Sequence, residues 1–477
     1  MTRPLSYELK QTLIIAAPLA GAYMAEVAMI MIDHMMVGRL GSLELAAAGL
    51  LGDVALELLL FGTAVVSIVG VLVAHSRGAE KAEQIGHHVA QGLWVAFALG
   101  ILITILCWFV GDILAPSGQD PRVIEVGQIY VDALSWGILP GILFIALRAY
   151  TSAMSRAMPV LVITVLAVAI KIPVTYVMVF GGFGVPQLGV AGAGWATAIA
   201  TWGMLIALGG YVTVAKGLKE HQVFSHLLEF DWREVLQIFR LGLPLGGIAM
   251  LEGGMFMAIG ILMGLFGPNA LAANQAVFGW MGITFVVTLA LGEAASIRIA
   301  HELGASKPRE ARRAGLLAVG MGTLVMCGTA IIFILLPRLL TSAFLDLEAA
   351  ENGPVLDLAM NLFLIAALFQ FSDGLQAIAT RMLRGMRDTL VPMWIASLGY
   401  WVFGVGGGWM LAFPLGYGPA GLWWGLAWGL SVTGGMLLWR FNRLSKAVVD
   451  GKRPDLLDAV ADPITDPITN PIANEGI

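Results

Sequence analysis

The 477-residue sequence has little charge and almost no cysteine. Charged residues make up 12% of the chain, about half the share typical of a soluble protein. Hydrophobic residues make up 58%, and the mean hydropathy is +0.84. The two cysteines, Cys107 and Cys327, lie in separate apolar segments without the spacing of a zinc or redox site. These shortages exclude a soluble globular protein and a cysteine-based metal or redox centre.

Motifs of several common protein classes are also missing. No glycine-rich loop followed by Lys-Ser or Lys-Thr is present, so we do not expect ATP hydrolysis. No basic patch interleaved with aromatic residues suggests nucleic-acid binding. Most histidines fall at the ends of apolar segments, and no nucleophile with its base marks a reaction centre. We therefore expect neither an enzyme nor a bound cofactor.

Long apolar runs are what the chain has in abundance. Twelve of them are near or above the roughly 20 residues that span a bilayer as a helix. They cover residues 12–36, 46–74, 88–112, 127–155, 159–182, 190–215, 236–264, 270–299, 314–341, 354–383, 390–414 and 419–440. The first is too long for a signal peptide, so we expect it to be retained.

The basic residues predict an orientation. Most of the 27 Lys and Arg residues fall at the termini and in the connections on the same side as the termini. The positive-inside rule then predicts a multi-pass membrane protein with both termini in the cytoplasm.

The two halves of the sequence resemble each other. The segment from Ala74 to Lys81 returns 226 residues later as the segment from Ala300 to Lys307. The same offset relates Pro18 to Pro244, Gly38 to Gly264 and Glu26 to Glu252, and later matches are Gly189 with Gly418 and Arg148–Pro159 with Arg381–Pro392. Six spans separate the copies, so the repeat is parallel, as in one class of secondary transporter.

These patterns predict an all-α integral membrane protein with twelve transmembrane helices. The helices form two six-helix lobes around a central cleft, related by a pseudo-twofold axis. We place the N-terminal lobe and the start of a polar linker at 1–225 and the C-terminal lobe at 226–446. The tail at 447–477 has a proline at every fourth residue in its last part, and we expect it to be disordered.

Acidic residues inside apolar helices are the strongest functional signal. Glu252 and Asp373 each lie well inside a predicted span, where a charge costs several kcal/mol. Two such carboxylates brought together could share a proton or coordinate Na⁺. The alternative is that each only pairs with a lysine or caps polar backbone.

The first half carries its own intramembrane charges. Asp33 and Glu26 lie seven residues apart, two helical turns, and therefore share a face. Lys171 is central in its span and cannot easily reach either surface. It needs a counter-charge, so we predict an ion pair with Asp33 or Glu26. A tethered ammonium would disfavour Na⁺ there, although Lys171 could also merely balance a structural acid.

Several motifs occur together in one order. They are Ile32-Asp33-His34-Met35-Met36-Val37-Gly38, Ser296-Ile297-Arg298 with His301 and Gly304, Leu383-Arg384-Gly385, Tyr400-Trp401-Val402 with Gly404, and Gly421-Leu422-Trp423. With them the chain resembles the MATE family, multidrug and toxic compound extrusion, and its NorM-like branch most closely, over about residues 10–445. The resemblance implies an antiporter that exports organic cations in exchange for Na⁺ or H⁺.

The resemblance also implies roles for particular residues. Acids matching Glu252 and Asp373 form a cation site in the family, and an amide matching Gln275 lies beside it. The family often has Tyr where this chain has Phe369, so one oxygen ligand would be missing. The acid matching Asp33 is implicated in protonation and substrate release.

We predict that the substrate cleft is lined by Gln275, Asn274, Phe369, Trp280, Phe285 and Thr175. Aromatic rings offer cation–π contact to a flat organic cation, although the same rings could serve only helix packing. The predicted function is multidrug efflux by alternating access, in a monomer whose partners are small organic cations and the lipid bilayer. The alternative is a flippase for lipid-linked oligosaccharides, disfavoured because the cleft acids outnumber Lys171.

Overall fold

The structure is a computed structural model that describes residues 4–344 and 353–457, without the side chain of Ser117. The first half contains α1 (Leu5–Gly38), α2 (Ser42–Val66), α3 (Ile68–Gly78), α4 (Ala82–Cys107), α5 (Val110–Leu114), α6 (Pro121–Ser135), α7 (Ile138–Ala153), α8 (Met158–Phe180) and α9 (Val190–Val214). The second half contains α10 (Trp232–Gly264), α11 (Pro268–Gly304), α12 (Pro308–Leu335), α13 (Pro337–Ser342), α14 (Gly353–Gly385), α15 (Leu390–Ser397), a π-helix, π1 (Leu398–Gly406), α16 (Gly407–Ala412) and α17 (Pro419–Val449). Within the described ranges, the one β-bridge joins Gly182 and Val185.

All twelve predicted spans are helical. By length and mean hydropathy, ten helices of the described chain can cross a membrane. The pair α6–α7, bent by 45°, makes an eleventh. The twelfth predicted span forms most of α17, which is 31 residues long but has many Gly and Trp residues that lower its hydropathy. The all-α fold with twelve spans is therefore confirmed.

The chain packs as two compact units, one of residues 21–246 and the other of residues 1–20 with 247–477. Both unit boundaries fall inside a helix, α1 and α10, two residues after Pro18 and Pro244. We expected the lobes to meet in the linker near 225. Instead, the start of α10 belongs to the unit of residues 21–246, and the start of α1 belongs to the unit of residues 1–20 and 247–477.

The backbone repeats with the sequence. Glu80 ends its helical segment with φ +58°, and Ser306 does so with φ +56°. Ser155 and Arg387, further along each half, have φ +59° and +60°. Left-handed non-glycine residues are uncommon, so these pairs mark corresponding turns of the two halves.

The π-helix packs against α17 through glycines. A Cβ on Gly429 of α17 would lie 2.5 Å from the Cα of Gly404, and one on Gly425 would lie 2.1 Å from the Cα of Gly408. Only glycine allows two backbones to approach this closely. The wide turn and its close contact therefore fix the position of Tyr400, which is fully buried.

The predicted disorder from residue 447 was wrong for 447–457. α17 continues to Val449, and a short 3₁₀ turn follows at Pro454–Leu456. Val448 and Leu456 are buried in an apolar cluster with Phe441, and this burial offsets the loss of chain entropy. The proline-rich part of the tail, 458–477, lies outside the described residues.

Candidate functional site

Two carboxylates in the unit of residues 1–20 and 247–477, the buried Asp373 and the half-buried Glu252, share one amide group. Gln376 Nε2 donates to Glu252 Oε1 at 2.9 Å and, with a longer contact of 3.4 Å, to Asp373 Oδ1. The hydroxyl of Tyr400 donates to Gln376 Oε1 at 2.6 Å. Because that bond occupies the amide oxygen, the amide N–H groups face the acids. The result is a hydrogen-bonded chain from π1 through α14 to α10.

This carboxylate pair has no direct cationic partner. In the part of the chain that the structure describes, no Lys or Arg nitrogen lies within 4.0 Å of either acid. The positive charge of Arg381 acts on both from further away. Its guanidinium donates to the carbonyl oxygen of Ala377 at 3.1 Å and lies 4.0 Å from Glu293. The negative charge of the two acids is therefore not balanced by a direct ion pair.

An aromatic wall lies further along α14. Phe369, on the Asp373 helix, meets the Trp423 ring edge-on at a centroid distance of 5.8 Å, and Phe278 stacks on the same indole at 4.8 Å. Trp423 Nε1 donates to Asn274 Oδ1 at 3.0 Å. Phe369 and Asn274 are both buried. The three aromatic rings and the hydrogen-bonded Asn274 amide together form one packed wall.

The other predicted cleft residues are placed differently. The Trp280 indole donates to the carbonyl oxygen of Leu340 at 2.9 Å, so it anchors α13 to α11. Phe285 is half-buried on α11. Gln275 is exposed, and the amide that links the acids is Gln376. That Gln275 also stands beside the acids stays a prediction.

The predicted ion pair of Lys171 is present in the unit of residues 21–246. Lys171 Nζ donates to Asp33 Oδ2 at 2.7 Å and to the carbonyl oxygen of Met29 at 2.9 Å. Thr197 Oγ1 donates to the same Asp33 oxygen at 2.8 Å. Lys171 is 1% exposed and Asp33 4%. The two charged groups are in direct contact and shielded from solvent. A lysine in the middle of a span needs such a counter-charge, because a buried unpaired charge is costly.

Two buried oxygens beside this pair lack a hydrogen-bond partner among the described residues. They are Asp33 Oδ1 and Thr175 Oγ1. Thr175 lies one turn after Lys171 on α8 and is fully buried. Unsatisfied buried oxygens are rare in proteins, so these two atoms distinguish the surroundings of the pair.

Glu26 does not join the Asp33 pair. Its Oε1 accepts from Arg148 Nη1 at 2.6 Å, and the Arg148 guanidinium also lies 4.8 Å from the centroid of the Tyr23 ring. Arg148 lies inside α7, within the predicted span 127–155. Glu26 therefore has its own fixed cation.

Sequence reasoning missed Gln376 and Arg148 as site residues. Gln376 follows Asp373 by three residues, so the two share a helix face, and a glutamine deep in an apolar span was an available signal. Tyr400 was noted only as part of a motif. Nothing in the sequence indicated that it lies in a π-helix.

The comparisons with known proteins agree with this architecture. The sequence profile of the MatE family matches residues 18–177 and 244–410, once in each half. A protein of Rhodopseudomonas palustris named "Probable multidrug resistance protein NorM" is 37% identical over 439 residues, which is 92% of both chains. One of that name from Pseudomonas aeruginosa is 37% identical over 450 residues, 93% of this chain and 92% of the other.

Solved structures match the fold. The eukaryotic MATE transporter AtDTX14 superimposes with a TM-score of 0.81 at 23% identity, covering 93% of this chain and 99% of the other. A MOP superfamily transporter from Pyrococcus furiosus superimposes with a TM-score of 0.82 at 17% identity, covering 93% and 97%. With a family profile that matches both halves and relatives above 30% identity over nine-tenths of its length, the chain belongs to the MatE family of membrane transporters.

Proposed function

We propose that this protein is a multidrug efflux antiporter that exports amphiphilic organic cations in exchange for protons at Glu252 and Asp373. Three things support the general class: membership of the MatE family, the naming of relatives as multidrug resistance proteins, and a fold shared with MATE transporters. The observation that carries the exchange chemistry is the Glu252–Gln376–Asp373 arrangement, in which no Lys or Arg nitrogen of the described chain lies within 4.0 Å of either acid.

The donor set favours a proton over Na⁺. A sodium ion is best surrounded by oxygens, but here the group facing both carboxylates is an amide N–H, and its oxygen accepts from Tyr400. Phe369, where the family often has a tyrosine, contributes no oxygen. Two nearby carboxylates that cannot both stay ionised without a counter-ion will share a proton. Proton binding from outside then changes the charge that an organic cation meets.

The first-half acids have a different role in this proposal. Lys171 neutralises Asp33 and Arg148 neutralises Glu26, so neither acid needs a bound metal ion. Asp33 Oδ1 has no partner among the described residues and can still take a proton, which would weaken its bond to Lys171. In this proposal, protonation of Asp33 couples proton binding to transport by weakening the Asp33–Lys171 ion pair. Na⁺ does not bind at this pair.

The mechanism follows from reciprocal binding. An organic cation and a proton both stabilise the negative carboxylates, so the occupancy of one lowers the affinity for the other. Export then requires two conformations that differ in which side the acids face. The predicted setting is a bacterial inner membrane, with both termini in the cytoplasm and the two six-helix units of a single chain sufficing as a monomer.

The test is ethidium efflux from proteoliposomes with pH and Na⁺ gradients imposed separately. We expect the pH gradient to drive efflux and the Na⁺ gradient to have little effect. Asp373→Asn should abolish pH-driven efflux. Asp357→Asn is the matched control, because this exposed acid lies near the start of the same helix and should not change transport.

Other outcomes would redirect the proposal. Efflux driven by Na⁺ alone would overturn the proton assignment. Efflux retained in Asp373→Asn would move coupling to Asp33 and Lys171. If neither gradient moves any organic cation, a lipid-flipping assay becomes the appropriate one.

A further inference from the structure

Six polar side chains meet where the linker between the halves packs on the start of α4. All belong to the unit of residues 21–246. They come from α4, from the linker and from the first turn of α10, and are His87, His88, His226, Glu229, Asp231 and Glu234.

The spacing of three of these ligating groups suits a small divalent ion. His87 Nε2 lies 3.0 Å from Glu234 Oε2 and 3.7 Å from Asp231 Oδ2. Ligands bound to Zn²⁺ at about 2.0–2.2 Å with tetrahedral angles lie about 3.3 Å apart, between these two distances. Within this triad, all ligand atoms lie within 4.8 Å of one another.

Each of the two carboxylates in this triad has a further hydrogen-bond partner, as metal ligands in proteins commonly do. Glu234 Oε1 bonds to His88 Nδ1, and His88 Nε2 bonds to Ser76 Oγ at 2.9 Å. Asp231 Oδ1 accepts from the backbone N–H of Arg233 at 2.9 Å. One oxygen of each acid is therefore occupied while the other faces His87. Such outer contacts orient ligands and strengthen metal binding.

The linker itself is fixed on α4. Gln91 Nε2 donates to the carbonyl oxygen of Glu229 at 2.6 Å, and the backbone N–H of Asp231 donates to Gln91 Oε1 at 3.1 Å. A Cβ on Gly86 would lie 1.9 Å from the carbonyl oxygen of His221. Glycine at this position thus lets the linker approach α4 and bring its acids to His87.

A second triad shares the same imidazole. His226 Nδ1 lies 2.8 Å from Glu229 Oε2, and the His226 ring is edge-on to His87 with centroids 6.3 Å apart. His87, His226 and Glu229 also have ligand atoms within 4.8 Å of one another. Both triads include His87. An ion bound by one triad therefore lies next to the position that the other triad provides.

We propose that His87, Asp231 and Glu234 bind a divalent transition-metal ion of the zinc class, with His226 and Glu229 as the adjacent position. Imidazole nitrogen selects zinc-like ions over Mg²⁺ and Ca²⁺, which prefer oxygen alone. Three protein ligands leave a fourth position for water. The ion fastens the linker and the first turn of α10 to α4. None of these residues belongs to the transport proposal, which stands or falls separately.

The test is calorimetric titration of the purified, EDTA-stripped, full-length protein with Zn²⁺. We expect one ion per chain, a higher unfolding temperature when Zn²⁺ is present, and little response to Mg²⁺. His87→Gln and Asp231→Asn should each weaken Zn²⁺ binding by about tenfold or more. His301→Gln is the control, since this histidine lies in the other compact unit and should leave the affinity unchanged. Co²⁺ should give the visible spectrum of a low-coordinate site, and His87→Gln should remove it.

Two results would overturn the assignment. One is the absence of a saturable single-ion isotherm in the wild-type protein. The other is equal Zn²⁺ affinity in wild type and in Asp231→Asn, whose half-exposed side chain can change without disturbing the fold. If His87→Gln unfolds without metal, the Asp231→Asn result decides.

Discussion

Glu26 and Glu252 occupy the same position in the two halves, but their partners differ. Glu26 is bonded to Arg148 at 2.6 Å. Glu252 is bonded to an amide that it shares with Asp373. The guanidinium balances the charge of Glu26, whereas the amide between Glu252 and Asp373 carries no charge. The same duplicated acid is thus ion-paired in one half and hydrogen-bonded to a shared neutral group in the other.

One residue of helix register accounts for the difference. Arg148 comes seven residues before Ser155, and Arg381 comes six residues before Arg387, where the left-handed residues mark corresponding turns. Each residue of an α-helix turns a side chain by about 100°, so Arg381 faces Glu293 rather than Glu252. By these turns, Arg148 corresponds to Thr380 and not to Arg381, with which the spacing to Pro159 and Pro392 paired it in the sequence. The Thr380 hydroxyl donates to the carbonyl oxygen of Gln376.

The difference between Glu26 and Glu252 is tested most directly by neutralising each acid in turn. We expect Glu252→Gln to reduce pH-driven ethidium efflux by on the order of tenfold, equivalent to about 1.4 kcal/mol of coupling. Glu26→Gln should reduce it far less, because the acid it removes is already neutralised. Equal losses in the two variants, measured in the same proteoliposomes, would mean that the halves do not differ in function.

The next largest effect concerns the buried pair of the first half. Lys171→Met leaves Asp33 buried without its cation, so we expect it to cost about 3–5 kcal/mol of stability. The double variant Lys171→Met/Asp33→Asn should recover most of this loss, since no uncompensated charge remains. Thermal unfolding in detergent measures both. If the double variant is no more stable than the single one, lost packing rather than lost charge explains the effect, and full efflux in Lys171→Met would refute its coupling role.

A smaller effect is expected where the second half departs from a regular helix. Gly429→Ala would press a methyl group against the backbone of Gly404, and overpacking of this kind typically costs about 1–3 kcal/mol. Gly435→Ala, on the same helix, meets open space and should be neutral or slightly stabilising. The difference in unfolding temperature between these variants reports the close contact, and equal values would show that π1 can move away.

The smallest effect lies in the linker that follows the first half. Burial, aided by the charge of Arg77, lowers the pKa of His221 below its ordinary value of 6.5, and its Nδ1 lies 2.8 Å from the Tyr150 hydroxyl. The unfolded chain therefore binds a proton before the folded chain does, so stability falls as the pH drops below 6.5. His221→Asn should make the unfolding temperature less sensitive to acid between neutral pH and about pH 5.5. An unchanged acid sensitivity would show that His221 titrates normally.

The helices and the Lys171–Asp33 pair could be predicted from the sequence, because long apolar runs and a central lysine leave few physical alternatives. A buried ammonium must find a carboxylate, and the same half offers only a few. The bridge through Gln376 could not be predicted, since it depends on side-chain rotation and on a backbone shift at Tyr400. Arg148 was missed as the partner of Glu26 because the two residues are 122 positions apart in the chain, and hydropathy does not indicate which helices meet. Arg381 shows that a single-residue register decides which acid a basic side chain meets.

The π-helix Leu398–Gly406 has one further consequence. A wide turn holds one more residue than the α-helix around it, so the residues after it are rotated by about 100° relative to their places in an uninterrupted α-helix. Tyr400 lies within this turn, and its hydroxyl donates to Gln376 Oε1. The glycine contact between Gly404 and Gly429 holds the turn against α17. The single extra residue therefore aims the phenol at the amide that the two acids share, and deleting one residue from π1 would turn the phenol away from it.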